Sequence, residues 1–143
     1  MLAGPIPVRI LRAAQFHEFV AQLVDWGRHG AVSYVPKMRT QLVAARAVAQ
    51  ALADLATDAA MAPPLGSAQA SRAVIPEIAG PCEESQVEMA RLLVVRRGDL
   101  VQIEGISDPA DPDRDVYVNG GLLPGPDATL AGPTFEEWLA TTI

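Results

Sequence analysis

The chain has 143 residues, of which 50% are hydrophobic and 20% are charged, with a formal net charge of −6. These figures predict one globular domain spanning residues 1–143 and exclude a long disordered chain. No apolar run approaches the roughly 20 residues that cross a bilayer, so we expect no membrane span. The negative charge argues against general binding of nucleic acid.

Residue usage also bears on the compartment and the origin of the chain. Cys82 is the single cysteine, which rules out an intrachain disulfide and is typical of a reducing compartment. The N-terminal residues lack the basic and apolar pattern of a secretory signal, so we expect a soluble, cytoplasmic protein. Lys37 is the one lysine among eleven basic residues. This arginine-rich and alanine-rich usage indicates a bacterial or phage genome.

The first part of the chain, over about residues 1–62, is predicted to be helical. Apolar side chains at helical spacing predict an amphipathic helix over about 13–28, and they are Phe16, Phe19, Val20, Leu23 and Val24. A short strand is predicted at 31–35, where Pro36 ends a β-prone run. A second helix is predicted over 37–61, which has no glycine or proline and is apolar on most sides. We expect that helix to occupy the centre of the core or to form a homodimer interface.

The second part of the chain is predicted to be rich in β-structure. A connector with many proline and glycine residues covers about 63–82 and precedes the β-rich part over about 83–143. A short helical piece is predicted at about 83–90. The predicted strands and the hairpin turns between them lie at 92–95, Gly98-Asp99, 100–104, 115–118, Asn119-Gly120 and 121–123.

The chain is predicted to end in a short helix with a defined start. Thr134 is followed three residues later by Glu137, the spacing of a capping box, in which each side chain accepts from a free backbone N–H. Phe135, Trp138 and Leu139 would then pack inward. The elements together predict an α+β fold, with two amphipathic N-terminal helices packed on a small antiparallel β-meander and a short C-terminal helix.

The sequence shows no motif of a common enzyme or cofactor site. The signatures of P-loop, dinucleotide-binding, serine hydrolase and zinc protease sites are absent, so we expect no cofactor. A small enzyme or ligand-binding domain whose site is assembled only in the fold remains an alternative. A pocket that holds Cys82 or His17 together with two acidic groups would favour it. We assign a structural role to His29, at the end of the first predicted helix.

A run of aspartates between predicted strands imitates part of a metal site. Asp111, Asp113 and Asp115 match the opening of a calcium-binding EF-hand loop. The match then fails, because Val116 stands where glycine is needed and Leu122 where a glutamate ligand is needed. We therefore expect a solvated loop and no metal.

The uneven distribution of charge predicts where a partner binds. Residues 1–50 carry a net charge of +4 and residues 51–143 a net charge of −10. An acidic surface attracts a basic one, so we expect a partner protein to contact Asp108, Asp111, Asp113, Asp115 and Tyr117. An interface on the apolar residues Tyr117, Leu122 and Leu123 is the alternative. The predicted function is that of a small accessory protein, of the chaperone, immunity or adaptor type. A structural subunit of a homo-oligomeric assembly is a further alternative.

Overall fold

The computed structural model describes residues 8–57 and 75–142, and within these ranges the chain is α+β with five helices and eight short strands. In chain order the elements are β1 (Arg12–Ala13), α1 (Phe19–Trp26), β2 (Arg28–His29), β3 (Val32–Pro36), β4 (Arg39–Thr40), α2 (Ala45–Thr57), β5 (Glu77–Ala79), β6 (Glu84–Ser85), α3 (Gln86–Arg97), β7 (Gln102–Ile106), α4 (Arg114–Val118), β8 (Thr129–Leu130) and α5 (Phe135–Thr142). None of the helices in these ranges is long and apolar enough to cross a membrane.

The strands form three small sheets, and two of them contain parallel pairs. In the sheet β2-β3-β7, strand β3 pairs antiparallel with β2 and parallel with β7. Strands β1, β5 and β8 form a second sheet in which both pairings are parallel, and β4 pairs antiparallel with β6. Parallel strands cannot be joined by a tight turn. Accordingly, both α2 and α3 lie in the chain between β3 and β7.

The predicted antiparallel β-meander is therefore wrong. Residues 92–95, predicted as a strand, lie inside α3, and Gly98 ends that helix in the left-handed conformation at φ 68° instead of turning a hairpin. The helix is favoured at this position because it buries Leu93 and Val94 in the core. Strand propensity depends strongly on context, and burial of this helix face overrides it.

The segment after β7 also differs from the prediction. Residues 115–118, predicted as a strand, belong to α4, where the Tyr117 N–H donates to the Asp113 carbonyl at 3.1 Å. Gly120 adopts φ 82° in a turn that follows the helix, and 121–123 form turn and bend. Local bonds within the segment thus replace the predicted hairpin at Asn119-Gly120.

The first helix is shorter than predicted, and a strand precedes it. Residues 12–13 form β1, and α1 begins at Phe19. The reason is backbone pairing with distant segments. Ala14 donates to the Ile78 carbonyl at 2.9 Å, and His17 donates to the Val43 carbonyl at 3.2 Å. These bonds hold the chain extended, and they place His17 in the turn ahead of the helix.

The second helix, predicted over 37–61 as the centre of the core, is peripheral in its described part. Helix α2 begins at Ala45, and residues 58–61 and most of the predicted connector, 63–74, lie outside the described residues. Val48 and Leu55 are buried, but Leu52 is 48% exposed. Alanine buries little area per residue, so the alanine-rich helix forms only a small apolar cluster.

The main core lies between α1, α3, α5 and the sheet β2-β3-β7. Val20 and Val24 of α1 pack with Leu93 of α3, Val35 of β3 and Phe135 of α5, all of them at most 1% exposed. Helices α1 and α3 thus contact β3 of this sheet, and α5 packs against α3. Lys37 directly follows β3, and residues 107–118 directly follow β7.

The capping box of the last helix is confirmed. The Thr134 N–H donates to Glu137 Oε2 at 2.9 Å, and the Glu137 N–H donates to Thr134 Oγ1 at 3.3 Å. Phe135 and Leu139 are buried and Trp138 is partly buried against the core, as predicted. The start of this helix also positions the Pro133 carbonyl, which contacts His17, and the Phe135 N–H, which contacts Glu84.

Candidate functional site

Residues 107–118, which we call the acidic segment, form a surface loop and α4. The Asp108 carboxylate accepts from the Ala110 N–H at 2.8 Å, and the Asp111 carboxylate accepts from the Asp113 N–H at 2.9 Å. Such side-chain turns are typical of aspartate in loops. They give the segment a defined shape, with Asp108 and Asp113 exposed and Asp111 partly buried.

The acidic segment closes one side of a small cleft of about 50 Å³. The cleft is lined by Pro36, Lys37, Ile106, Ser107, Asp108, Asp111, Arg114 and Tyr117. Three of the five predicted partner-binding residues therefore meet at one place. Asp115 is exposed and lies 3.5 Å from Arg114. The volume suits a contact surface better than a pocket for an organic molecule, since such pockets usually exceed about 300 Å³.

Tyr117 lies within the electrostatic field of the aspartates. Its pKa is raised, first by the Asp111 carboxylate, then by burial and by the Asp113 carboxylate. The phenol therefore stays protonated and can donate a hydrogen bond. Tyrosine is enriched at protein interfaces relative to the rest of the surface.

Apolar side chains on and beside the acidic segment are exposed as well. Val116 is 47% exposed, Val118 41% and Ile106 38%. Leu122 and Leu123, the predicted apolar alternative, are partly buried. The prediction missed Val116 and Val118 as surface residues because it placed them in a strand. It missed Lys37 because that residue lies about 70 positions earlier in the chain.

A second group of polar side chains surrounds the start of α5. His17 has no exposed surface, and its Nε2 lies 3.0 Å from the Pro133 carbonyl, so Nε2 carries the proton and donates. Its ring packs against Phe135 and Trp138 at centroid distances of 5.5 and 5.4 Å. Glu84 Oε1 accepts from the Phe135 N–H at 3.0 Å. Two titratable side chains from distant parts of the chain therefore hold one helix start.

Several buried side-chain atoms in the described part of the chain have no hydrogen-bond partner, and His17 and Glu84 each contribute one of them. They are Nδ1 of His17, Oε2 of Glu84, Oε1 of Gln15 and both amide atoms of Gln86. Burial lowers the pKa of His17, and the Pro133 bond and Glu18 oppose this shift. Burial raises the pKa of Glu84, and its bond from Phe135 opposes that shift. Both shifts favour the neutral forms.

Cys82 lies near the same group but is not arranged as a nucleophile. Burial raises its pKa, and the Glu84 and Glu137 carboxylates raise it further. The two carboxylates thus stabilise the thiol over the reactive thiolate. The side chain of Cys82 is exposed. His29 lies apart from this group, on β2, with its ring 6.0 Å from that of Tyr34.

Within 8–57 and 75–142, no group of three or more histidine, cysteine, aspartate or glutamate side chains is placed to hold a metal ion. Asp111, Asp113 and Asp115 instead spread over a turn and the first part of α4.

The raised pKa of Glu84 gives a pH-dependent prediction. A group with a raised folded-state pKa binds protons more tightly when folded, so its contribution to stability falls as the pH rises above about 4.5. Glu84→Gln keeps an acceptor for the Phe135 N–H without the buried charge. We expect this variant to gain stability over the wild type between pH 4.5 and 7, measured by urea unfolding.

Glu83 provides a matched control, because its pKa is shifted in the opposite direction to that of Glu84. Arg39 lies 2.6 Å from Glu83 and lowers the pKa of Glu83, so this contact contributes stability that is lost as the pH falls. Glu83→Gln should therefore lose stability relative to the wild type as the pH rises. His17, with its lowered pKa, makes stability rise with pH below about 6.5 in every variant and cancels in the differences. Parallel pH profiles for Glu84→Gln and the wild type would contradict the assignment.

Comparison of the chain with protein-family models, with curated proteins and with solved structures finds no match.

Proposed function

We propose that this chain is a small accessory protein, of bacterial or phage origin, that acts by binding another protein through its acidic segment. The observation that carries the proposal is the combination of charge and apolar exposure on that segment. Asp108, Asp111 and Tyr117 line one cleft, and Val116 and Val118 are exposed on α4 beside it.

Each part of this surface supports a distinct step of binding. Exposed carboxylates attract a basic partner and accelerate encounter. Aromatic side chains buried in an interface carry much of its affinity, and Tyr117 can take this role. Val116 and Val118 would add apolar area that is removed from water on binding. Arg114 lies beside Asp115 and reduces the net negative charge of the acidic segment within α4. The partner we propose is therefore a protein with a basic surface around an apolar centre.

The alternative functions have weaker support from the geometry. A homodimer through the helix predicted over 37–61 would use the exposed stripe of α2, formed by Ala49, Leu52, Ala53 and Ala56. Three of these four side chains are alanine, so the stripe offers little area to bury. An enzyme would need a reacting group that a substrate can reach, and His17 at the start of α5 has no exposed surface.

A photo-crosslinking experiment tests the proposal. The probe is p-benzoylphenylalanine in place of Tyr117, expressed in the native host, and the crosslinked product is identified by mass spectrometry. We expect one predominant protein with a basic surface. Capture should fall when Asp108→Asn, Asp111→Asn and Asp113→Asn are added, because the attraction is then reduced.

Two controls make the result specific to this surface. The same probe in place of Trp26, which is 68% exposed on α1, should not capture that protein. The changes Asp25→Asn, Glu104→Gln and Glu136→Gln alter the net charge equally at exposed positions elsewhere and should leave capture unchanged. No predominant product from residue 117, or equal capture from residue 26, would overturn the proposal.

A further inference from the structure

A cavity of about 260 Å³ lies between α2 and the sheet β1-β5-β8, away from the acidic segment. Its walls include Ala47, Ala51 and Leu55 of α2, and Ile78 of β5. An apolar cavity of about 150 Å³ is large enough to hold benzene. The space between α2 and the sheet therefore has room for one small organic molecule.

The cavity arises because α2 presents alanine to the sheet. Ala47 and Ala51 lie about one helical turn apart, so both side chains point to the same side of α2. There they are partly buried against the small cluster of Val43, Val48 and Ile78. An alanine side chain ends at Cβ and leaves the space between this part of the helix and the sheet unfilled. Atoms that line such a space lack dispersion contacts on one side, and an apolar molecule would supply them.

The charge of Glu77 lies on the other face of the sheet. Successive side chains of a strand point to opposite faces, and Ile78 points toward α2, so Glu77 points away from α2. Arg12 of β1 is the register partner of Glu77. Glu77 Oε2 accepts a hydrogen bond from the Gly125 N–H at 3.0 Å. Glu77 therefore borders the cavity without directing its carboxylate into it.

The remaining polar side chains of the lining are exposed to solvent or uncharged. Gln50 and Asp54 are exposed, and Gln50 Nε2 donates to the Asp54 carboxylate at 2.9 Å. This pair marks the side on which the cavity meets solvent. Thr129 of β8 is the register partner of Ile78 and lines the cavity with an uncharged side chain. The lining thus places no unpaired charge inside the cavity.

We propose that this cavity binds a small neutral apolar molecule, of about the size of a benzene ring with one short alkyl group. The molecule contacts Ala47 and Ala51 on one side and Ile78 on the other. A charged molecule would lose hydration there and gain no partner of opposite charge, so it is disfavoured. This site goes beyond the proposed function and is independent of it, since the cavity shares no residue with the cleft of the acidic segment.

An NMR titration of the full chain with three probes tests the class of ligand. The probes are ethylbenzene, 2-phenylethylamine and 3-phenylpropionate, which share a phenyl ring and are neutral, positive and negative, respectively. We expect ethylbenzene to shift the methyl signals of Leu55 and Ile78, and to bind about tenfold more tightly than either charged probe, because burying an unpaired charge is costly. The methyl signals of Leu93, in the main core, should not shift. A charged probe that binds as tightly as ethylbenzene, or no binding of ethylbenzene, would overturn the proposal.

Matched variants test the position of the site. Ala51→Leu places a larger side chain in the cavity and should abolish binding of ethylbenzene, whereas Ala53→Leu, at an exposed position outside the lining, should leave it unchanged. Asp54→Asn combined with Glu77→Gln should also leave the dissociation constant of ethylbenzene unchanged, because neither carboxylate is directed into the cavity. Circular dichroism of each variant verifies that it is folded. Undiminished binding to folded Ala51→Leu, or loss of binding on changing the two carboxylates, would contradict the proposed site.

Discussion

Gly80→Ala is expected to unfold much of the population or to lower the free energy of unfolding by about 4 kcal/mol, at the upper end of point-mutation effects. A Cβ at Gly80 would lie 1.8 Å from the Leu42 carbonyl oxygen and 2.9 Å from the Leu42 carbonyl carbon. Both are backbone atoms, and Leu42 is itself fully buried. The clash therefore cannot be relieved by rotating a side chain.

Two hydrogen bonds hold Gly80 against the same segment. Its N–H donates to the Gln41 carbonyl at 3.2 Å, and its carbonyl accepts from Gln41 Nε2 at 2.7 Å. Moving the chain apart to admit a methyl group would break both bonds. Domains of this kind have a total stability of roughly 5–15 kcal/mol, so a loss of this size is a large fraction of it.

Urea unfolding followed by circular dichroism measures this loss, with Gly125→Ala as the matched control. A Cβ at Gly125 would meet only the flexible end of Glu77, at 3.3 Å. We expect the control to change stability by less than about 1 kcal/mol, as most surface substitutions do. A stability of Gly80→Ala within that range would mean that the segments around residues 42 and 80 do not approach as closely as described.

Phe135→Ala is expected to lower the free energy of unfolding by about 3–5 kcal/mol, the usual range for removing a buried aromatic ring. Phe135 is the largest fully buried side chain of the described residues. Its ring contacts those of His17 and Trp138, and its backbone N–H bonds to Glu84. Loss of the ring leaves a cavity at the point where α5 joins the core.

Trp26→Ala provides the control for this prediction, because it removes a larger aromatic side chain that is 68% exposed. Its ring packs edge-on against Phe19 at 5.6 Å, and we expect a loss of about 1 kcal/mol, the size of one such aromatic contact. Both variants can be measured by the same urea titration. Equal losses from the two substitutions would contradict the assignment of α5 to the main core.

The parts of the fold that sequence could predict are those fixed by nearby residues. The helix at the C-terminus was predicted because Thr134 and Glu137 satisfy each other's backbone within a single turn. The strand predicted at 100–104 exists as β7, shifted to 102–106. The helix at 92–95 was missed because the β-prone run there is overridden by burial of Leu93 and Val94, a contact between distant elements.

In the candidate sites, too, features set by nearby residues could be predicted and features set by distant contacts could not. Asp108, Asp113 and Asp115 could be predicted as exposed, because closely spaced carboxylates in a proline-containing segment favour contact with water. The proximity of Asp108 and Asp111 to Lys37 could not be predicted, since it depends on the parallel pairing of β3 with β7. Likewise, no local pattern predicts that His17 and Glu84 lie at the start of α5, because the three segments are distant in the chain.

The most direct test of the proposed function is the association rate of this chain with the protein captured through residue 117, measured by stopped flow at two salt concentrations. We expect Asp108→Asn, Asp111→Asn and Asp113→Asn together to slow association about tenfold at low salt and to flatten its salt dependence, because steering acts over a Debye length of roughly 8–10 Å. The equal charge change at Asp25, Glu104 and Glu136 should have a small effect. A rate that is independent of salt, or equally reduced by both sets of variants, would contradict binding through the acidic segment.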